Sequence, residues 1–478
     1  MKYDVAVIGA GSAGLTAAKT ARGFGKRVVL IDKAGRFGGE CTWTGCVPSK
    51  ALIKAAEIAY HIKQSKRWGI DAQVQPFGTQ GVMAYVRDRI AAVAQTHTPE
   101  EIQKLGIDVV LQEAHFKDQQ TLQLADGSTL QARKIIICTG SSPAVPPIEG
   151  IYDVPYLTNQ TFFAQKELPE SLIILGAGPI GIEMASACNR LGTKVQLIER
   201  ADRILPREDH QMADQLLHAL KHEGVACMLG MRAVAIHKSD SGIRVTCIDA
   251  YEQQHVFYAQ ALLLAVGQRP NSASLALDAA GIMRDEKGYI ITDATLRTHA
   301  KHVYACGDVV GPYMFSHVAW YQAVLAVRNA LVPFFKKNID YRTIIWVTFA
   351  APELASAGLN EAEAVERYGK DGIIINEIPY SKLDRAVIDN AEQGLVKCIT
   401  DKRGRLLGMH ILGARAGDII HELQLAASAR IPLQRIQGVM HAYPTYSELV
   451  WQAGKQAYVD RLLADPFVRL MRRLTRKY

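Results

Sequence analysis

The chain has 478 residues, 49% of them hydrophobic and 21% charged, globular proportions that exclude a disordered or fibrous protein and predict three domains or four. Its formal net charge of +8 is small for this length, and no nucleic-acid partner is expected. No run of about 18 apolar residues occurs, so no spanning helix is expected.

Residues 3–8 form a short β-rich run, and Asp4 close behind Lys2 argues against a secretory leader. Gly9, Gly11 and Gly14 follow, then an Ala-rich helical stretch, then a second strand at 27–31 ending at Asp32, 23 residues after Gly9. Strand, GxGxxG turn, helix, strand and acid together make a dinucleotide-binding unit. The glycines allow a tight turn and close approach of a pyrophosphate to a helix N-terminus, and the acid takes ribose hydroxyls. The unit recurs with a strand at 171–175, Gly176, Gly178 and Gly181, a helix, and a strand at 194–198 ending at Glu199, again 23 residues after the first glycine. Two such units imply two dinucleotides, or one duplicated fold serving a flavin and a nicotinamide. The best candidate for a long apolar helix, 318–327, contains Gln322 and stops at Arg328. Past residue 340 the texture changes. Strands are expected at 372–379, 394–400 and 406–412 and helices near 360–368 and 417–429, an α+β arrangement.

Six of the eight cysteines (Cys138, Cys188, Cys227, Cys247, Cys306 and Cys398) sit singly among apolar or small residues. They read as buried hydrophobes in a reducing, cytoplasmic setting. Cys41 and Cys46 stand in Gly-Gly-Glu-Cys-Thr-Trp-Thr-Gly-Cys-Val-Pro-Ser-Lys. So short a ring gives a disulfide only about 2 kcal/mol of chain-entropy stabilisation, and no second pair completes a zinc site. A redox-active dithiol is favoured. Pro48 suits the first position of a helix, which places Cys46 at a helix N-terminus, where the dipole favours a thiolate. Lys50 adds a cation one turn on.

With Thr139-Gly140 after a strand at 134–138, Gly181-Ile182-Glu183, Gly267-Gln268-Arg269-Pro270-Asn271, Tyr304-Ala305-Cys306-Gly307-Asp308 and Phe349-Ala350-Ala351-Pro352-Glu353, the chain resembles a family over nearly its whole length. The family is the FAD-dependent (class I) pyridine nucleotide-disulfide oxidoreductases, which include glutathione reductase, dihydrolipoamide dehydrogenase and mercuric reductase. The resemblance implies an α/β fold with two Rossmann-type dinucleotide-binding domains and a C-terminal α+β dimerisation domain. Residues 1–155 would begin the FAD domain, 156–271 would bind NAD(P), 272–338 would return to the FAD domain, and 339–478 would form a homodimer with the active site shared across the interface. Gly9, Gly11, Gly14, Asp32, Thr139, Gly140, Gly267, Gly307 and Asp308 would hold FAD, Asp32 at the adenosine ribose and Asp308 at the ribityl chain. Gly176, Gly178, Gly181, Glu199 and Arg200 would hold the nicotinamide nucleotide. Cys46 would be the thiolate against the flavin, Cys41 the thiol that meets the acceptor, and Lys50 would lie near the flavin, paired with Glu183.

The family's disulfide reductases carry a His-Pro near the C-terminus, with a Glu four residues after the Pro, as acid/base for the partner subunit's cysteines. Here Tyr443 occupies the histidine position, His441 lies two residues earlier, and Glu448 is retained. A phenol with a pKa of about 10 is a poor base at neutral pH. One reading is a glutathione reductase-like or dihydrolipoamide dehydrogenase-like enzyme with a moved or dispensable base. The other is a metal-ion reductase, since mercuric reductase looks similar here and around Asp384-Arg385-Ala386; Cys41 and Cys46 would then be transient ligands of a metal substrate, with no resident metal site. Mercuric reductases end in a vicinal cysteine pair, and this chain has no cysteine after Cys398.

Glu199 favours NADH by repelling a 2′-phosphate, while Arg200 and Arg203 favour NADPH; NADH is the expected donor. From Tyr458 the tail carries Val459, Leu462, Leu463, Phe467, Leu470, Met471 and Leu474 at helical spacing beside Arg461, Arg469, Arg472, Arg473, Arg476 and Lys477. A terminal helix packed on the dimer is preferred over peripheral contact with an anionic membrane, because Pro466 interrupts the stripe. Rival readings of other classes are a membrane-associated NADH:quinone flavoprotein, which needs no Cys-x4-Cys, and a non-enzymatic redox-sensing flavoprotein.

Overall fold

The computed structural model describes residues 2–72, 77–240 and 242–475, and the backbone alone at residues 2 and 473–475. Arg476 and Lys477 lie outside the described residues, as do the side chains of Arg473 and Leu474. In chain order the first elements are β1 (Lys2–Ile8), α1 (Ser12–Gly23), β2 (Val28–Ile31), α2 (Gly39–Trp43) and α3 (Cys46–Lys63). Next come α4 (Gln80–Ala94), α5 (Pro99–Lys104), β3 (Asp108–Val110), β4 (Ala114–Phe116), β5 (Thr121–Leu124) and β6 (Thr129–Ile137). The middle holds β7 (Ser141–Pro143), α6 (Asn159–Phe162), β8 (Ser171–Leu175), α7 (Pro179–Arg190), β9 (Lys194–Ile198) and α8 (His210–His222). Then follow β10 (Ala226–Met228), β11 (Arg232–Ser239), β12 (Gly242–Ile248), β13 (Gln254–Ala259), β14 (Ala261–Leu264) and β15 (Gln268–Pro270). β16 (Val303–Ala305), α9 (Ser316–Leu331), β17 (Ile345–Thr348), β18 (Glu353–Gly358), α10 (Glu361–Tyr368), β19 (Ile373–Pro379) and α11 (Asp384–Ile388) come next. The chain closes with β20 (Leu395–Asp401), β21 (Leu406–Gly413), α12 (Ala416–Ser428), α13 (Glu448–Ala464) and α14 (Pro466–Thr475).

The first sheet runs β3–β2–β1–β6–β5–β4, with β16 also paired to β6. β1 pairs in parallel with both β2 and β6. Every residue of β2 is buried, as parallel strands covered on both faces require. On one face α1 and α9 pack Leu15, Ala18, Ala323 and Val327 onto Val5, Val7 and Leu30. The opposite face packs Ile8, Val29, Ile135 and Ile137 against Phe116, Leu122, Leu275 and Leu277. β6 changes character along its length. Its first residues alternate exposed and buried where β5 runs antiparallel beside it, and Ile135–Ile137 are wholly buried between β1 and β16.

The second sheet, β10–β9–β8–β14, is parallel throughout. The antiparallel sheet β11–β12–β13 packs Ile236, Val245 and Cys247 on its Ile173 and Leu175. A short antiparallel ribbon, β7 with β15, stands where the chain leaves the first sheet and where it comes back. The C-terminal sheet is antiparallel, in the order β17–β18–β21–β20–β19, with α12 and α13 packed on it through Ile420, Leu423, Leu449 and Val450. The fold is therefore α/β, with two parallel dinucleotide-type sheets and an α+β C-terminal region.

Local signals explain the boundaries. Asn360 caps α10 and forms a capping box with Glu363, so the helix expected at 360–368 starts one residue later. Pro48 is not the first residue of α3 but the third; Gly45 is the N-cap and Cys46 the first. The proline is still tolerated there, because the first four amides have no partner within the helix. Gln322, which interrupts the apolar run of α9, is buried and accepts the Gly307 amide at 2.6 Å. Among the described residues no helix is long and apolar enough to cross a membrane.

Candidate active site

A cleft of about 3430 Å³ runs between the sheets. Its floor is the end of β1, where Gly9 (φ +100) turns the chain into α1. A Cβ on Gly14 would stand 1.7 Å from the Gly9 carbonyl oxygen, so no other residue fits that approach. Asp32 closes the turn by accepting the Ala10 and Ala34 amides, each at 2.8 Å. The second unit repeats the device. A Cβ on Gly181 would lie 1.9 Å from the Gly176 carbonyl oxygen, and Glu199 accepts the Ala177 and Ala201 amides at 2.7 and 2.9 Å. Gly11 and Gly178, which cap α1 and α7, offer no side-chain bond to the first-turn amides, and Pro179 at the head of α7 has none to satisfy. These are cradles that a Cβ would fill and a pyrophosphate fits. Both clusters line the one cleft, as does exposed Arg200; Arg203 does not line it, and its buried Nε has no partner.

The end of the first sheet completes the cradle. Asp308 accepts the Ser141 hydroxyl at 2.7 Å, and burial holds its pKa above the ordinary carboxylate value. Thr139 Oγ1 donates to the Asn271 carbonyl at 2.6 Å, and Asn271 Nδ2 returns a bond to the Thr139 carbonyl at 3.0 Å. The Ala144 amide reaches the Gly267 carbonyl and the Asn271 amide reaches the Gly140 carbonyl, each at 2.9 Å, which ties Gly140 and Gly267 into the same corner.

Cys41 lies in α2 and Cys46 opens α3, and both are reduced. Cys46 Sγ is 3.4 Å from Ser316 Oγ, at the start of α9. Hydrogen bonding from the Cys46 thiol, then from Ser316 and Ser12, with the Lys50 charge, brings the Cys41 pKa down to about 6 against the effect of burial. That same bond, followed by burial, pushes Cys46 far above the ordinary thiol value. The two thiols thus hold one negative charge between them, with Lys50 as its nearby cation. Lys50 Nζ bonds both oxygens of buried Glu183, at 2.9 and 3.1 Å, and lies 4.4 Å above the Phe349 ring. The Phe349 amide donates to the same carboxylate at 3.0 Å.

Two groups near the cysteines escaped the sequence reading. Glu40 accepts from Asn159 Nδ2 and from Gln268 Nε2, the latter at 3.2 Å. Burial first, then the Asp308 and Cys46 charges, push its carboxyl up to about 7 against those two bonds. The acid beside Cys41 was visible in the sequence, but its burial was not. Ser316 carried no signal, since 270 residues separate it from Cys46.

The C-terminal trio lies elsewhere. Neither Tyr443, His441 nor Glu448 lines the cleft of its own chain. Tyr443 is 68% exposed, and its hydroxyl donates to Asp384 Oδ2 at 2.7 Å. That carboxylate raises the phenol's pKa. His441 is engaged at both ring nitrogens, with the Val439 carbonyl at 3.0 Å and Glu422 at 2.8 Å. Glu448 begins α13, and its buried Oε2 has no partner within the chain. Val459, Leu462, Leu463, Phe467, Leu470 and Met471 are exposed on α13 and α14, so this chain's own body does not cover the tail stripe. Among the described residues, no group of three or more His, Cys, Asp or Glu side chains is placed to hold a metal ion.

Paired dinucleotide cradles opening on a reduced Cys-x4-Cys define a nucleotide-dependent dithiol oxidoreductase. The family model for pyridine nucleotide-disulphide oxidoreductases matches residues 3–323, and that family's dimerisation domain matches residues 344–453. The chain belongs to this family, the FAD-dependent class I pyridine nucleotide-disulphide oxidoreductases, whose members bind FAD and a nicotinamide nucleotide. It is 30% identical over 447 residues to a mercuric reductase of Staphylococcus aureus, covering 93% of this chain and 81% of that protein. It is 33% identical over 465 residues to a dihydrolipoyl dehydrogenase of Bacillus subtilis (strain 168), covering 96% and 97%. A Cu(II) complex of the HOCl-induced flavoprotein disulfide reductase RclA from Escherichia coli is similar at a TM-score of 0.85 and 28% identity, over 95% of this chain and 99% of that one.

Proposed function

We propose that this FAD-dependent oxidoreductase draws electrons from NADH and delivers them through the Cys41–Cys46 pair to a soft metal ion, Hg(II) or Cu(II), in the manner of a mercuric reductase. FAD, when bound, supplies the step between the nicotinamide and the cysteines, taking up a hydride and passing on an electron pair. Gly9, Gly11, Gly14, Asp32 and Asp308 would hold it, and Gly176, Gly178, Gly181 and Glu199 would hold the nucleotide. The Glu199 carboxylate supports NADH, because it would repel a 2′-phosphate. Lys50 places a fixed cation beside the thiols, and Glu183 orients it. Cys41 takes the acceptor and Cys46 is the thiolate against the flavin. The chain acts as a homodimer, in which Tyr443, His441 and Glu448 serve the partner's cysteines. Reduced cysteines suit a cytoplasmic setting.

The choice of acceptor rests on Tyr443. Reducing a disulfide requires a proton for the leaving thiolate. Here the group in the expected place is a phenol bound to Asp384, and the neighbouring imidazole is occupied at both nitrogens. A soft metal held by two thiolates needs no such proton.

The test is NADH oxidation with Hg(II) under excess small thiol, and with lipoamide and glutathione disulfide, for the wild type, Cys41→Ser and Tyr443→Phe. Hg(II) turnover should vanish in Cys41→Ser and fall several-fold in Tyr443→Phe. Disulfide turnover should lie about 10²–10⁴-fold below that of a dedicated reductase, the usual worth of a general acid/base. Disulfide turnover at dedicated rates would overturn the metal reading in favour of a dihydrolipoyl dehydrogenase-like enzyme. Metal turnover that survives Cys41→Ser would place the reduction away from the pair.

A further inference from the structure

Cys138 and Cys306, 168 residues apart in sequence, stand with their sulfurs 3.5 Å apart. The sheet brings them together. β6 and β16 are parallel, with Ile135 opposite Val303, Ile136 opposite Tyr304 and Ile137 opposite Ala305. The next step along both strands faces Cys138 with Cys306. The Cys306 amide donates to the Ile137 carbonyl at 3.0 Å, so the ladder continues through them. Opposed residues in register share a face. Neighbouring strands lie about 4.8 Å apart, inside the Cα separation of about 4.4–6.8 Å that a disulfide spans. The sulfurs need only close by about 1.5 Å to bond.

The place of this pair matters as much as its spacing. Cys138 is 4% exposed and Cys306 0%, yet Cys138 borders the dinucleotide cleft. Its carbonyl oxygen lies 2.4 Å from where a Gly9 Cβ would be, and its own Cβ lies 3.4 Å from where a Gly14 Cβ would be. The residues that follow are Thr139-Gly140 on one strand and Gly307-Asp308 on the other. The two thiols thus sit under the glycine turn, at the root of both segments that would hold FAD. Burial, then Cys306, hold the Cys138 thiol well above its ordinary pKa, so an oxidant reaches the pair only through local opening of the glycine turn, which bound FAD would hold shut.

We propose that Cys138 and Cys306 are a second redox-active pair, oxidised to a disulfide by a two-electron thiol oxidant when the cleft is empty, and that the bond weakens FAD binding. The proposal rests on FAD occupying the Gly9–Gly14 cradle. With an azo oxidant such as diamide, one S–H adds across the N=N bond, giving a sulfur–nitrogen bond and an N–H. The second sulfur attacks the first, its proton passes to the departing nitrogen, and one disulfide and one hydrazine result. Because the coupling is reciprocal, whatever the disulfide takes from FAD affinity, bound FAD takes from the ease of forming the disulfide.

The experiment treats the full chain with diamide, stripped of FAD or saturated with it, and maps disulfides by mass spectrometry of unreduced digests. The stripped protein should show a peptide joining Cys138 to Cys306, two hydrogens lighter than its parts, and the saturated protein should not. FAD titrated into the oxidised protein should bind at least about tenfold more weakly, about 1.4 kcal/mol, and dithiothreitol should restore it. Cys138→Ala keeps Cys41 and Cys46, so its FAD affinity should be blind to diamide. No linked peptide, equal linking with FAD present, unchanged FAD affinity after linking, or a diamide effect that persists in Cys138→Ala would each overturn the proposal. If untreated protein fails to bind FAD, the cradle assignment falls, while the linked peptide still decides whether the pair exists.

Discussion

Glu208 lies just before α8 and is 2% exposed. Its Oε1 accepts the Trp346 indole at 2.6 Å, and its Oε2 meets Ser356 Oγ. Ser356 Oγ is 3.1 Å from His410 Nδ1, and His410 Nε2 is 3.0 Å from the Leu359 carbonyl. One serine hydrogen serves two neighbours. The chain is satisfied throughout if Glu208 is protonated and donates to Ser356, which donates to a neutral His410. Burial drives both ends that way, raising Glu208 to about 7 and lowering His410. The sign follows. Between the ordinary carboxyl value of 4.5 and about 7, the folded state keeps a proton that the unfolded chain has released. Glu208's contribution to stability therefore falls as pH rises through that window and is gone above it. His410, with its pKa lowered, works in the opposite sense, losing stability as pH falls below the ordinary histidine value. Glu208→Gln keeps the acceptor and supplies a permanent donor. Urea unfolding from about pH 5 to about pH 8 should show wild type losing up to about 3 kcal/mol relative to this variant. Parallel pH profiles for the two proteins would mean that Glu208 is ionised throughout.

At the scale of elements, the two glycine turns make the sharpest demand. Gly14→Ala drives a methyl into the Gly9 carbonyl at 1.7 Å, and Gly181→Ala does the same to Gly176 at 1.9 Å. Each should abolish binding at its own cradle, which FAD fluorescence titration and NADH binding would report separately. If Gly14→Ala binds FAD normally, the first cradle is not the flavin site. These turns were legible in the sequence because their logic is local: strand, turn, helix and acid fall within a span of some thirty residues. The α+β texture of the C-terminal part was legible for the same reason. The sheet β11–β12–β13 and strands β17 and β18 were missed, although Asp240-Ser241-Gly242 is a turn signal that could have placed the β11–β12 hairpin. Pairings between distant segments were not legible either. Cys46 with Ser316, Cys138 with Cys306, and Glu183 with the Phe349 amide exist only once separate strands and helices are side by side. The six cysteines read as solitary therefore include two neighbours.

At the scale of the whole molecule, one buried ion pair joins the second sheet's region to the C-terminal sheet. Lys397 of β20 bonds Asp209, the N-cap of α8, at 2.9 Å, and both side chains are 2% exposed. Glu361 at 2.9 Å and Glu377 at 3.6 Å complete the shell. Burial disfavours the charge on both; bonds to Glu361 and then Asp209 outweigh it and raise Lys397, and the Lys397 bond outweighs it and lowers Asp209. Lys397→Met leaves the Asp209 carboxylate buried without its cation and should cost roughly 3–5 kcal/mol. Adding Asp209→Asn should recover most of that loss in urea unfolding. If the double variant is as unstable as the single one, packing rather than charge holds the contact.

The ribbon β7–β15 has a consequence for how such a molecule can be rebuilt. Ser141 faces Pro270, Pro143 faces Gln268, and the Ala144 amide meets the Gly267 carbonyl, so the chain departs and comes home at adjacent points. Everything from 144 to 267 is a cassette with neighbouring ends. A cassette from a relative of opposite nicotinamide preference, spliced at those two points, should change the electron donor, and it keeps the cysteine chemistry only if it also brings a carboxylate matching Glu183 to hold Lys50. It would have to bring an acid matching Asp209 to meet Lys397, and one matching Glu208 to meet Trp346 and Ser356. A chimera lacking them should bind its new nucleotide yet melt early. The two carboxylates are thus the plug and the ribbon the socket of an exchangeable part.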